Sequence, residues 1–458
     1  MHLTPRIILF ILVLSRLVLL HAQQAVMPAP EHFARFNNVE GGWLASDATI
    51  SLALPDGNAL WLFGDCIIGE ESAPFVVANG KSKMINNAAI LEHDGVLSTC
   101  YQGTTENPSS FIPGEGIDIF WPEHGILEND TLKIFAIQII YQNNGTPGFD
   151  FRIGTTHLAY YKYPEIEYIK TEEVKYITDT TMRFGAHVLK KEDYTYIFGV
   201  KDTVLGGYKY PVPMLARVDS SVDEPWQFYA GDGNWSFSCA EAVPVGDRPM
   251  SESFFVYEKN GKYYLIMHEI WLVGELYLLE ADNLTGPWNR ASSGGTEKKF
   301  CVIRKPAKNM TYNLFAHPQF MKDDRVLISF NVNHSDFWPI FSDTRNYRAR
   351  FLWLSIDEAM AATAPDTMDI NEIIVGTADR QMTDSRHPVV RTDPQHIYID
   401  QAGEGSELRI FGIDGREYYH TLVNGSSVLS RDKFPRSVLL IQVISNRQTF
   451  ISRIYNTQ

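Results

Sequence analysis

Cysteine is nearly absent. Four residues in 458, Cys66, Cys100, Cys239 and Cys301, stand far apart with no C-x-x-C pair, which excludes a cysteine-built zinc framework and a disulfide-stapled mini-fold. Positive charge is short as well. Forty Lys+Arg face 55 Asp+Glu, a formal net charge of −15, so the chain lacks the cationic footprint of a nucleic-acid binder. Past the N-terminus no apolar run reaches the ~20 residues needed to cross a bilayer. H-E-x-x-H, Walker, G-x-G-x-x-G and G-x-S-x-G motifs are all missing, which removes the usual zinc-protease, nucleotide and serine-hydrolase readings.

What is present is ordinary globular composition, 45% hydrophobic and 21% charged, with a large aromatic supply of 26 Phe, 22 Tyr and 9 Trp. Such a supply suits strands and sugar-stacking clefts. The first 24 residues read as a signal peptide: a basic start, the apolar run IILFILVLSRLVLL (7–20) and the small Ala22. Arg16 and Leu20 are irregular for one, and a signal anchor is the alternative. The expectation is a secreted or cell-surface protein whose mature chain has no transmembrane span.

One pattern recurs five times: a strand, a polar turn, then a second aromatic or β-branched strand. The instances lie at 48–65, 125–138, 186–202, 254–269 and 318–333, with Phe63, Phe135, Phe198, Ile266 and Ser329 in matching places. A third strand follows most of them (156–164, 213–219, 275–282, 348–356), and a tryptophan closes two units, DEPWQFY (223–229) and DNLTGPW (282–288). Four strands per unit, five times, predicts an all-β chain built as a five-bladed β-propeller over 33–362. The sialidase box and the WD dipeptide are missing. A two-sheet sandwich has similar strand content but gives no reason for the period. Residues 363–394 read as a linker, and 395–458 as a small C-terminal β-sandwich of short alternating strands.

The tail, through ELRIFGIDGRE (407–417), SVLLIQV (437–443) and Arg453, resembles the sorting domain of Bacteroidetes proteins exported by the type IX system. Pro435-Arg436-Ser437 stands where that domain has Gly-Val-Tyr. The resemblance implies export machinery as a partner. The main body carries Gly42, Trp43, Asp47, LPDG (54–57), LWLFGD (60–65), FWPEHG (120–125), RFGA (183–186), TGPW (285–288), His317-Pro318 and SFNVN (329–333). In these it resembles a family of secreted five-bladed propellers of formerly unknown function, related to endo-D-arabinanase glycoside hydrolases. Cys66 departs from the family's more usual Thr. The resemblance implies a polysaccharide or oligosaccharide substrate and puts Asp47 and Asp65 at the family's catalytic positions.

Glycoside hydrolysis needs two carboxyl groups flanking the bond. Asp47 begins one strand of the first hairpin and Asp65 ends the other, so both lie at the same end. A four-residue turn over 55–58 would pair Leu54 with Ala59, which leaves Asp47 and Asp65 one step out of register and on opposite faces unless a bulge intervenes. On residue type alone, a turn-capping Asp65 and a solvated Asp47 is the plainer account. Glu252 is the candidate third carboxylate. Glu123 with His124, His187 and His317 recur at the starts of the other inner strands, where they would ring one mouth of the axis. Trp43, Trp121 and Trp338 are candidates for stacking on sugars. His268 and Glu269 close a second strand and could reach the same cleft. No metal or cofactor is expected for catalysis, although His317 could help to hold a central structural ion. Two readings follow: an exported glycoside hydrolase acting on an arabinan-like polysaccharide, and a surface carbohydrate-binding propeller without catalysis. A protein-interaction propeller would predict an apolar mouth instead of acids and histidines.

Overall fold

The computed structural model describes residues 24–458 apart from 115, 117, 143–150, 206, 375–388, 393–394, 413–415, 436–437, 446–447 and 456–458. The expected signal peptide therefore lies outside the described residues, save for Gln24. Strand accounts for 60% of the chain and helix for 8%. The chain divides into two compact units, one ending at Ile374 and the other beginning at Val375.

Among the described residues the first unit holds seven sheets; five of them, built mainly of antiparallel pairs, each begin with an inner strand and are numbered here in chain order. Sheet one begins with Ile50–Ala53 and Ala59–Phe63, sheet two with Ile119–Glu128 and Thr131–Tyr141. Sheet three begins with Met182–Lys191 and Tyr194–Leu205, and sheet four with Phe254–Lys259 and Lys262–His268. Sheet five begins with Asn309–Lys322 and Arg325–His334. The five inner strands touch in a closed cycle: one against two, two against three, three against four, four against five, and five back against one.

The second strands are apolar nearly throughout because both of their faces are covered. All five residues of Ala59–Phe63 are buried. Aromatic and aliphatic side chains fill the space between sheets. Phe135 and Leu158 of sheet two pack with Phe184, Ile197 and Trp226 of sheet three. Phe198 and Leu215 of sheet three meet Phe254, Leu265 and Trp288. The two tryptophans that close a unit are equivalent: Trp226 Nε1 donates to Val222 O (2.9 Å) and Trp288 Nε1 to Leu284 O (3.1 Å). Gly185, at φ +116°, lets sheet three approach sheet two so closely that a Cβ there would lie 2.4 Å from Phe135 Cβ.

Two segments outside the repeat belong to this unit. Val26–Pro28 pairs with Arg350–Leu354 on the outside of sheet five, Val26 opposite Leu354. Asp366–Asp369 pairs in parallel with Thr296–Arg304 of sheet four. The expected boundaries, 33 and 362, both fell inside the unit, because short edge strands carry no repeat signal of their own. The expected linker thus begins as structure, with Met368, Ile370 and Ile373 buried in the core.

The five described strands of the second unit are all antiparallel and are joined in one hydrogen-bonded set. Its long strand His396–Gly412 shifts register against Glu417–Ser430 between Ile399 and Ser406, and along its other edge the first half pairs with Val389–Thr392 and the second with Val438–Ser445. Ile397, Ile399, Leu408, Ile410, Leu439, Ile441 and Val443 supply its core at period two. Among the described residues no helix is long and apolar enough to cross a membrane.

The N-terminal strand gives the first prediction. Val26 is fully buried, its N–H donates to Asp366 Oδ2 (2.9 Å), and Arg325 Nη1 donates to Ala25 O (3.0 Å). Deleting residues 25–28 should lower unfolding free energy by roughly 3 kcal/mol or more, the worth of one buried aliphatic side chain plus its ladder. Denaturant unfolding of the truncated protein measures this.

Candidate active site

The hairpin of sheet one sets the geometry. Ala53 pairs with Ala59 and Ile50 with Leu62, so the turn holds five residues, 54–58. Leu54 N–H donates to Asn58 O (3.0 Å) and Gly57 N–H to Leu54 O (3.1 Å). That extra turn residue brings Asp47 directly opposite Asp65, and corrects the expectation of opposite faces. Asp47 N–H donates to Asp65 O (3.1 Å), and Gly64 N–H donates to Asp47 O (3.0 Å). Pairing continues past them, Ser46 with Cys66 and Ala45 with Ile67, in a separate three-stranded sheet. The two aspartates stand where one hairpin passes between two sheets. Ala48, next to Asp47, has φ 47°, a strained value for a residue with a Cβ.

Each carboxyl is recessed and holds its proton more tightly than usual. For Asp47 burial is the main cause and the charge of Asp65 the second; hydrogen bonds from Tyr347 and Tyr312 oppose them. Tyr312 Oη lies 3.4 Å from Asp47 Oδ2. Asp65 is raised less, again by burial, against hydrogen bonds from Asn86 Nδ2 and Trp121 Nε1, each 3.4 Å from Oδ1. Gly64 is required beneath the pair, since a Cβ there would lie 2.3 Å from Asp47 Oδ1. Cys66 is buried and donates to Gly64 O (3.0 Å). Burial and both aspartates push its thiol well up, so it stays protonated and is no nucleophile. All four cysteines are unpaired.

A second cluster lies on sheets two to four. Arg183, buried, donates through Nη2 and Nε to Glu252 (2.6 and 3.1 Å) and through Nη2 to Asp202 (2.8 Å). Lys209 pairs with Asp202 at 2.6 Å. Glu123 sits in a bulge between Pro122 and Gly125. Burial, then the charge of Glu252, pushes its carboxyl up to about 8, against the pull of Arg183. Trp121, which touches Asp65, is two residues from Glu123 on the same strand, and this joins the clusters. Ser253 Oγ to Leu314 O (3.3 Å) and Tyr312 to Asp47 complete a circuit of contacts around the starts of the inner strands.

Other expected site residues lie elsewhere. Trp43 is 5% exposed and packs against Phe36 and Phe63, with Arg348 over its ring; it is core. His187 and His317 are buried on the axis. His187 Nδ1 accepts from Val256 N (3.3 Å), and His317 lies between Ser51 Oγ (2.6 Å) and Ser329 Oγ (2.9 Å). With His124, Phe255 and Phe315 they fill the centre of the cycle with rings, where the central ion was considered. Among the described residues no group of His, Cys, Asp or Glu is arranged to hold a metal. His268 is sealed between Glu269 O (2.8 Å) and Thr311 Oγ1 (2.9 Å), so it does not reach the cleft. Trp338 is 76% exposed on a loop of sheet five. Sequence reasoning missed Tyr312 of sheet five, Tyr347 in the turn before its third strand, Asn86 after the strand ending at Ile85, and the ion-pairing role of Arg183 in sheet three.

A cavity of about 560 Å³ lies at the other end of sheets two and three. Its Lys133 touches Ser221 Oγ (2.9 Å) but is pinned by Glu128 and Asp223, both at 2.6 Å. That leaves no free amine for a Ser–Lys nucleophile.

The raised carboxyls make stability depend on pH. Between their unfolded values near 4 and their higher folded values, the folded chain binds more protons than the unfolded one, so this contribution falls as pH rises. The melting temperature of Asp47→Asn relative to the wild type should therefore be higher at pH 8.5 than at pH 4.5. Thermal melts of the two proteins across that range test the sign.

The comparisons with known proteins agree with this architecture. No curated protein matches the chain. A crystal structure of a candidate hydrolase from Bacteroides ovatus has the same fold, with a TM-score of 0.59 at 18% identity, over 74% of this chain and 93% of that one. Two remoter likenesses are glycoside hydrolases of propeller fold. One is the GH43_1 enzyme from Xanthomonas citri complexed with xylotriose (TM-score 0.42, 12% identity, 71% of this chain and 91% of that one). The other is an endo-arabinase from Bacteroides thetaiotaomicron (TM-score 0.38, 11% identity, 70% of this chain and 96% of that one). The model of a domain of unknown function, DUF5005, matches residues 30–355, from the first helix to the last strand of sheet five, and the chain belongs to that family.

Proposed function

We propose that the protein is an exported glycoside hydrolase of an arabinan-like, furanoside-rich polysaccharide, and that its five sheets are the blades of a five-bladed propeller. The observation that carries the reading is the cross-strand pair Asp47 and Asp65, two recessed carboxyls facing each other at the mouth of the cycle. The closed circuit of inner strands supports the blade count, and the resemblance to endo-D-arabinanases supports the substrate.

The chemistry divides between the two clusters. Two like charges held this close share a proton near neutral pH, so the aspartate pair supplies one ionised carboxylate to activate water or attack the sugar. Glu123, pushed up to about 8, keeps its proton at neutral pH and is the donor to the leaving oxygen. Glu252, the candidate third carboxylate, has both oxygens committed to Arg183. Its charge helps to keep Glu123 protonated, which makes it a positioning residue. Trp121, half-buried between Asp65 and Phe151, and exposed Trp338 offer faces for sugar rings.

With a panel of polysaccharides including arabinans, the wild type should release oligosaccharides. Asp47→Asn, Asp65→Asn and Glu123→Gln should each reduce turnover by roughly a thousandfold, while Glu252→Gln should cost less and shift the pH profile. Binding without cleavage by the wild type would instead indicate a carbohydrate-binding propeller. Export is part of the same proposal, from the leader at 1–24 and the sorting-like tail. Deleting residues from 395 should leave a folded first unit that accumulates in the periplasm, as fractionation would report.

A further inference from the structure

Glu269 is a buried carboxylate that the proposed chemistry does not use. It follows the strand Lys262–His268 and accepts the backbone N–H groups of Trp271, Val273 and Gly274, the last at 3.2 Å. Its own N–H donates to Glu275 O (2.9 Å), closing the loop at its base. Leu272 is held at φ 59°, left-handed for a residue with a Cβ. Burying a carboxylate and straining a backbone both cost free energy. What this rigid loop carries is apolar and outside: Trp271 is 64% exposed, Val273 55% and Leu272 38%. A loop that merely connects two strands would be polar and would need no clamp.

A series of contacts leads from the loop to Glu252. Trp271 meets Tyr210 edge-on at 5.8 Å, and Tyr208 lies next to Tyr210 at 6.3 Å. Those tyrosines belong to the hairpin that carries Lys209 and Asp202, whose partner Arg183 grips Glu252. The carbonyl of Pro211 accepts the N–H of Met250 (2.8 Å), two residues before Glu252.

We propose that Trp271, with Tyr208 and Tyr210, is a stacking wall for sugar units of a polymer flanking the bond to be cleaved, and that Glu269 is the positioning residue that holds it. This rests on the glycosidase reading and narrows it: the substrate is a chain long enough to reach from the aspartate pair to sheet four. An aromatic ring held rigid in solvent offers a flat apolar face at little entropic cost, which the apolar face of a sugar ring matches.

The test compares arabinan with the shortest arabino-oligosaccharide that the wild type cleaves. Trp271→Ala should raise KM for the polymer roughly tenfold, about one stacking contact, with kcat unchanged and no effect on the short substrate. Trp271→Phe should restore most of the loss. Glu269→Ala should reproduce the rise in polymer KM, and Glu269→Gln should retain part of the clamp and fall between. An unchanged polymer KM in Trp271→Ala, with the wild type active, overturns the wall and leaves the glycosidase reading standing. Equal losses on both substrates overturn it as well. If only Trp271→Ala has an effect, the assignment of Glu269 fails. A wild type inert on every polysaccharide overturns both readings.

Discussion

Neighbouring inner strands of the cycle share no hydrogen-bonded ladder, and neutral imidazoles join them instead. His124 Nδ1 accepts the N–H of Val188 on the next sheet, and His187 Nδ1 accepts that of Val256 on the one after. His317 links Ser51 of sheet one to Ser329 of sheet five. An imidazole can accept only while unprotonated, and burial holds His124 at about 4 and the other two well below their ordinary value. The axis is therefore held by acceptors that strong acid would convert to donors. The strand starts, and with them every side chain of the mouth, are aligned by this apolar, uncharged plug.

The mouth above it is built on the opposite principle. Asp47, Asp65 and Glu123 are carboxyls placed where burial and like charge disfavour ionisation, over a strained Ala48 and a Gly64 with no room for a side chain. Each would be better tolerated as an amide or an apolar residue if stability were the only demand. Local rules broken together, in one place, against a framework that otherwise obeys them, support the proposal that these carboxyls are kept for chemistry. Bulges at Glu123 and after Phe184 and Tyr312 serve the same end, turning side chains at the strand starts out of the regular pleat.

The repeat was legible because it rests on a simple pattern: an apolar second strand covered on both faces, next to a turn of Asp, Gly, Asn or Lys. The aspartate pair was legible as two residues at one end of a hairpin, but their facing depended on whether the turn has four or five residues, and PDGN alone does not decide that. His187 and His317 were placed at the mouth because a polar residue at a strand start suggests exposure, and His268 because it closes a second strand at the same end. They are instead held in the interior, His187 by Val256, His317 by Ser51 and Ser329, and His268 by its neighbour Glu269 and by Thr311. Tyr312, Tyr347 and Asn86 could not be found for the same reason. Tyr312 and Tyr347 meet Asp47 only after the cycle closes, Asn86 meets Asp65 across the hairpin in which Cys66 pairs with Ile85, and nothing local distinguishes the three from other strand or loop residues.

That closure uses the two ends of the unit at once. Val26 pairs with Leu354 and bonds to Asp366, a separation of 340 residues. A chain emerging in order can form its first four hairpins from neighbours in sequence, yet the outermost strand of sheet five waits from the beginning for partners made last. Until then sheet five presents an unpaired edge to any other chain with a free strand. The clasp therefore makes completion an all-or-none, high-contact-order event, late in synthesis, and gives the finished unit a lock that local fraying within one sheet does not open.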